Sequence, residues 1–63
     1  MLNAVMYQVQ VETKSGKPAF VGPSMENPER LYGLASAINT NVAKGQEKDW
    51  FNARVVELST ARN

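Results

Sequence analysis

Asn27-Pro28-Glu29-Arg30-Leu31 at one end and Lys44-Gly45 at the other bracket the stretch that decides how this chain folds. Asn27 suits a cap, because its side-chain oxygen can accept from a first-turn N–H that has no partner inside the helix. Pro28 then takes the first helical position, where the donor it lacks would go unused. Glu29 sets a negative charge at the positive end of the helix dipole. At the far end Lys44 lies by the last carbonyls, and Gly45 can adopt the left-handed conformation that stops a helix. Between these caps Leu31, Leu34, Ala35, Ile38 and Val42 recur every three or four residues, which gathers them into one apolar stripe. Gly33 interrupts the stretch at a cost of about 1 kcal/mol against Ala, and nothing in the sequence explains it. Ser36, Thr40 and Lys44 point away from the stripe and offer no chemistry. The expectation is a surface helix with one buried face.

What the helix lies on is read from its flanks. Residues 5–13 alternate: Val5, Tyr7, Val9 and Val11 against Met6, Gln8, Gln10 and Glu12, the period of a half-buried strand. Lys14-Ser15-Gly16-Lys17 is a turn, with Gly16 available for positive φ. A second strand, Ala19 to Val21 or slightly longer, returns antiparallel, and Pro18 before it and Pro23 after it suit a sheet edge, since neither can donate to a ladder. A two-residue loop puts Phe20 opposite Val11 in the core. A three-residue loop puts Ala19 and Val21 there instead. Burial of the aromatic ring favours the first. Gly22-Pro23-Ser24-Met25-Glu26 then reads as a linker into the helix, and Gly45 to Asp49 as a polar loop after it.

Trp50 to Leu58 is the last strand, with residues 58–63 as a frayed tail. Phe51, Ala53 and Val55 suit one face, and Trp50, Val56 and Leu58 the other. Either a bulge switches the phase near Val55-Val56 or both faces are covered. The order ββαβ, with a right-handed crossover through the helix, places the last strand beside the first. The fold class is therefore α+β: a three-stranded antiparallel sheet, order 2-1-3, with one helix packed on one face and a single small domain over residues 1–63.

Length and composition narrow the function classes. With 63 residues the chain buries only about 60% of the surface its unfolded form exposes. It has no Cys and no His, so disulfides are excluded and a zinc site would have to be built from carboxylates alone. Association with itself or another protein is the remaining common source of stability. Seven basic and six acidic residues are well mixed, without the basic stripe that nucleic-acid binders show. No stretch is long enough to span a membrane, and Met1-Leu2-Asn3 lacks the organisation of a signal peptide. The expected location is cytoplasmic.

Catalysis is poorly supported. Without His or Cys there is no Ser-His-Asp triad and no cysteine nucleophile, and Ser24, Ser36 and Ser59 lack an activating base. Glu26 and Glu29 read as favourable charges at a helix start. Ser15-Gly16-Lys17 is a turn rather than a phosphate loop, whose leading glycine is missing. No catalytic residue, metal ligand or cofactor site is assigned.

Binding is better supported. One helix covers one sheet face and leaves the other, with Met6, Gln8, Gln10, Trp50, Arg54, Val56 and Leu58, uncovered. Tyr7, Phe20 and Phe51 are expected beneath the helix. Trp50, pointing away from Phe51, would stand on the uncovered face with Arg54, a pairing of residue types enriched at interaction hot spots. The candidate interface is Trp50, Arg54, Val56, Leu58, Met6 and Gln8. The competing reading closes this patch as a small cluster with Leu2 and Met6.

Phe20-Val21-Gly22-Pro23-Ser24, followed by Asn27-Pro28-Glu29-Arg30-Leu31, resembles one strand-to-helix step of the peptidoglycan-binding SPOR repeat over about twenty residues; the second repeat of such domains has no counterpart. The size and ββαβ order are also similar to small phage-encoded inhibitors, a likeness of architecture that implies a regulator blocking a host protein. The reading is a non-catalytic protein-binding module, a homodimer or a phage-type inhibitor or regulator, acting through the uncovered face or an edge strand. The alternative is a nucleic-acid or nucleotide binder that stacks bases on sheet aromatics.

Overall fold

The structure, a computed structural model, describes residues 5–58. The elements run β1 (Met6–Thr13), β2 (Ala19–Met25), α1 (Glu29–Ala43) and β3 (Trp50–Leu58). They form an antiparallel sheet of order β2-β1-β3 with the helix on one face. The α+β class, the ββαβ order and the central position of the first strand are as expected. Val5 falls just outside β1 and is exposed. The last strand runs from Trp50 to Leu58 as expected, and Leu58 pairs with Met6; the tail beyond it, and Leu2, lie outside the described residues.

The helix ends are made as the sequence indicates. Pro28 already has helical dihedrals, and the Asn27 side-chain oxygen accepts from the Glu29 N–H at 3.0 Å. At the other end Gly45 has φ +77°, its N–H donates to the Val42 carbonyl, and the Gln46 N–H donates to the Asn41 carbonyl. That pair of bonds is the Schellman motif, which satisfies carbonyls the helix cannot. Leu31, Ala35 and Ile38 of the stripe are buried, with Leu34 and Val42 packed around them. They meet Val9 and Val11 from β1 and Ala53 from β3. The helix lies over β3 and, to a lesser extent, β1.

Two backbone irregularities decide which side chains join this core, and both correct the expectation from alternation. In the hairpin, Val11 pairs with Ala19 and Val9 with Val21, so the loop is the three residues Lys14-Ser15-Gly16. Gly16 has φ +91° and donates its N–H to the Thr13 carbonyl at 3.0 Å. A turn closed by a left-handed glycine is the usual solution for a three-residue hairpin. The turn thereby sets the register, sends Ala19 and Val21 inward, and leaves Phe20 opposite Gln10 on the other face, 52% exposed. The strand then continues beyond Val21. Three residues, Gly22-Pro23-Ser24, bulge opposite the single Gln8 before Met25 pairs with Tyr7, so most of the expected linker belongs to β2.

In β3 the phase switch falls at Asn52-Ala53 rather than at Val55-Val56. Glu12 pairs with Phe51 and Gln10 with Arg54, so Asn52 and Ala53 together oppose Val11. Asn52 has φ +53°, the left-handed conformation that asparagine tolerates better than most residues, and this is how one strand of a pair accommodates an extra residue. The bulge sets Trp50, Ala53 and Val55 on the helix side and Phe51, Arg54, Val56 and Leu58 on the opposite side. Trp50 is therefore part of the packing around the core, and Phe51 is not, the reverse of their expected places.

Candidate functional site

The face of the sheet opposite the helix is built from β1 outward. Met6, Gln8, Gln10 and Glu12 form its central row. Their neighbours on β3 are Leu58, Val56, Arg54 and Phe51, and Phe20 on β2 stands beside Gln10. Five of the six candidate interface residues, Met6, Gln8, Arg54, Val56 and Leu58, share this face; Trp50 does not. Phe20 and Phe51 take its place, two rings instead of one. Among the described residues no element lies over the face.

Its polar groups are held sideways. Gln8 Nε2 donates to the Gly22 carbonyl at 2.6 Å, Arg54 Nη2 to Gln10 Oε1 at 3.1 Å, and Asn52 Nδ2 to Glu12 Oε2 at 3.0 Å. These bonds run across the sheet and fix the side chains against it. Covering a polar group costs free energy when its hydrogen bonds are lost. A partner lying flat on this face would leave these bonds intact. The apolar groups, by contrast, are offered outward: Phe20 is half exposed, and Met6, Phe51, Val56 and Leu58 are partly exposed.

The sheet edges are less available than the face. On β2, Pro18 precedes the strand, Pro23 lies within it, and the bulge at Gly22 breaks the ladder, all devices that blunt an edge. Gly22 is confined there, with φ +78° and Leu34 Cδ2 only 3.0 Å from the place a Cβ would occupy. On β3 the helix supplies the device. Asn39 Nδ2 donates to the Ala53 carbonyl at 2.9 Å, and Asn39 Oδ1 accepts from the Ala53 N–H at 2.8 Å. One side-chain amide thus occupies both backbone groups that an added strand would use at this residue. Outward groups alternate along a strand, so among the described residues only Val55 and Glu57 remain beyond the bulge to pair with a further strand. Sequence reasoning missed Asn39. Its only local signal is its place at the border of the apolar stripe, four residues after Ala35.

Elsewhere the structure offers little chemistry. A groove of about 660 Å³ runs along α1 and β3, with Tyr32, Ser36, Thr40 and Arg54 among its lining residues and Asn39 already committed to Ala53. Ser15 Oγ bonds the Thr13 hydroxyl and the Lys17 N–H within the hairpin turn, a structural use of the residue. Glu26 and Glu29 are both exposed near the helix start. Among the described residues no group of three or more His, Cys, Asp or Glu side chains is placed to hold a metal ion, and no helix is long and apolar enough to cross a membrane.

Comparison with family models, with curated proteins and with solved structures finds no match for this chain. What the molecule does must therefore be argued from its surface.

Proposed function

We propose that this protein acts by binding another protein through the open face of its sheet, without catalysing a reaction. The observation that carries the reading is the half-exposed ring of Phe20, which shares one uncovered face with Phe51, Met6, Val56 and Leu58. Aromatic and long apolar side chains around one arginine, with the neighbouring polar groups already bonded, is the composition of an interface centre. A regulator or inhibitor of a larger protein fits this surface, as does self-association. The test is capture of partners on immobilised wild-type protein, repeated with Phe20→Ser and with Tyr32→Ser, the latter exposed on the helix rather than the face. Loss of the same partner with the first variant and retention with the second supports the reading; equal capture by both sinks it.

A second reading draws on the same two rings. Phe20 and Phe51 on an open sheet are placed as stacking platforms for single-stranded nucleic acid. Arg54 is the one cation among the described residues of the face, however, and strand binding draws most of its affinity from several phosphate contacts. The check is fluorescence anisotropy of a labelled oligonucleotide at rising salt. Trp50 is a poor reporter here because it lies on the helix side.

A further inference from the structure

We infer that the occupant of the open face is a second copy of this chain, so that two sheets stack face to face in a homodimer; the inference rests on the binding role proposed for that face. Three observations favour self-association over another partner. The first is charge. Among the described residues the face carries one cation, Arg54, and one anion, Glu12, on different strands and one ladder step apart in level. Each bonds a neutral neighbour, Arg54 to Gln10 and Glu12 to Asn52, so neither of these bonds neutralises its charge. A face with one of each is complementary to itself, because a two-fold axis can set Arg54 of each copy against Glu12 of the other. A strongly basic or acidic partner finds no such match.

The second observation is area. Eight residues of β1 at about 3.3 Å each, and three strands at about 4.8 Å spacing, give a face of roughly 26 by 14 Å in plan, or about 380 Å². Side-chain relief, with two phenylalanines standing on it, raises the accessible area toward the roughly 600 Å² per partner at the lower end of specific interfaces. A dimer therefore needs the whole face, and a second copy, presenting a face of the same extent, can cover it.

The third is the size of the core. Its fully or nearly buried members are Val9, Val11, Leu31, Ala35, Ile38 and Ala53, three of them no larger than alanine or valine on the sheet side. With no cysteine in the chain, stacking two sheets adds the second hydrophobic layer that small domains otherwise obtain from disulfides or metals.

The experiment is sedimentation equilibrium from micromolar to millimolar protein, on the wild type, on Arg54→Glu, on Glu12→Arg and on an equimolar mixture of the two variants. The expected result is a wild-type dimer, a dissociation constant raised about tenfold or more in each variant alone by like-charge contacts, and recovery to within a few-fold of wild type in the mixture. Circular dichroism confirms that each variant is folded. Should either charge variant unfold, Phe20→Ser at the exposed ring replaces it, with loss of the dimer as the expected reading. A wild type that stays monomeric at every concentration overturns the inference, as does a mixture no tighter than its components or a dimer unmoved by Phe20→Ser. A monomer whose capture of a different protein is still abolished by Phe20→Ser overturns the homodimer and leaves the binding role standing.

Discussion

The two faces of the sheet are made by the same strands one residue out of step, yet they are chemically opposite. Along β1, Val9 and Val11 are fully buried beneath the helix, while Gln8 and Gln10, their immediate neighbours, hydrogen-bond across the other side. On the covered side small residues stand where the helix meets the last strand: Ala53 on β3 and Ala35 on the helix. Trp50 and Tyr7 pack at the margin of that core, whereas Phe20 and Phe51 stand on the side over which no described element lies. Large aromatic groups do not go inside merely because they are apolar. The backbone decides which face they occupy.

The strongest way to break this comparison is to delete a side chain on each face and compare the costs, at protein concentrations too low for association. Leu31→Ala removes one of the most buried side chains of the core and is expected to cost about 3 kcal/mol, from the lost transfer energy and the cavity together. Denaturant unfolding measures it. Phe20→Ala, on a larger side chain, is expected to cost less than about 0.5 kcal/mol in the same assay, as for an exposed position outside any packed cluster. Comparable losses would mean that the open face is not open in the monomer.

Asn39→Ala tests the device that joins the covered face to the β3 edge. It strands the N–H and C=O of Ala53, both now paired through the one amide, at an expected cost of about 2 kcal/mol. Hydrogen exchange should accelerate at the Ala53 amide before other β3 amides. Asn39→Asp keeps the acceptor but loses the donor, and should fall between. A smaller effect of opposite sign is expected from Gly33→Ala. A Cβ there meets nothing within 4 Å, and the backbone is ordinary helix, so the variant should gain up to about 1 kcal/mol. This places the residue's cost in propensity alone and shows the outer flank of the helix free of packing demands.

The helix was legible because everything that makes it is local. Caps, charges and the apolar stripe act within a turn or two, and the structure uses Asn27, Gly45, Leu31, Ala35 and Ile38 in the roles their order suggests. The candidate site was legible in part for the same reason: strict alternation in β1 places Met6 and Gln8 correctly, and the 2-1-3 order brings Val56 and Leu58 beside them. Trp50, Phe51 and Phe20 were misplaced because each lies across a backbone irregularity from the regular stretch used to extrapolate. A single residue of slip reverses the face of every side chain beyond it. Gly16 and Asn52, both at positive φ, are where those slips occur. Asn39 was out of reach for another reason, since its partner Ala53 is fourteen residues away and meets it only when the helix is laid on the sheet.

By itself, then, the sequence determined the elements, their order and the buried stripe of the helix, because hydrophobic period and capping chemistry are written in neighbouring residues. It also excluded disulfides and histidine chemistry through residues that are absent from the chain. Only the tertiary structure decided which aromatic rings face outward and how the β3 edge is closed. Those outcomes depend on the register between strands and on contacts between distant residues. A turn with one more residue, or a bulge one position away, would present a different face to solvent while the pattern of the helix remained the same.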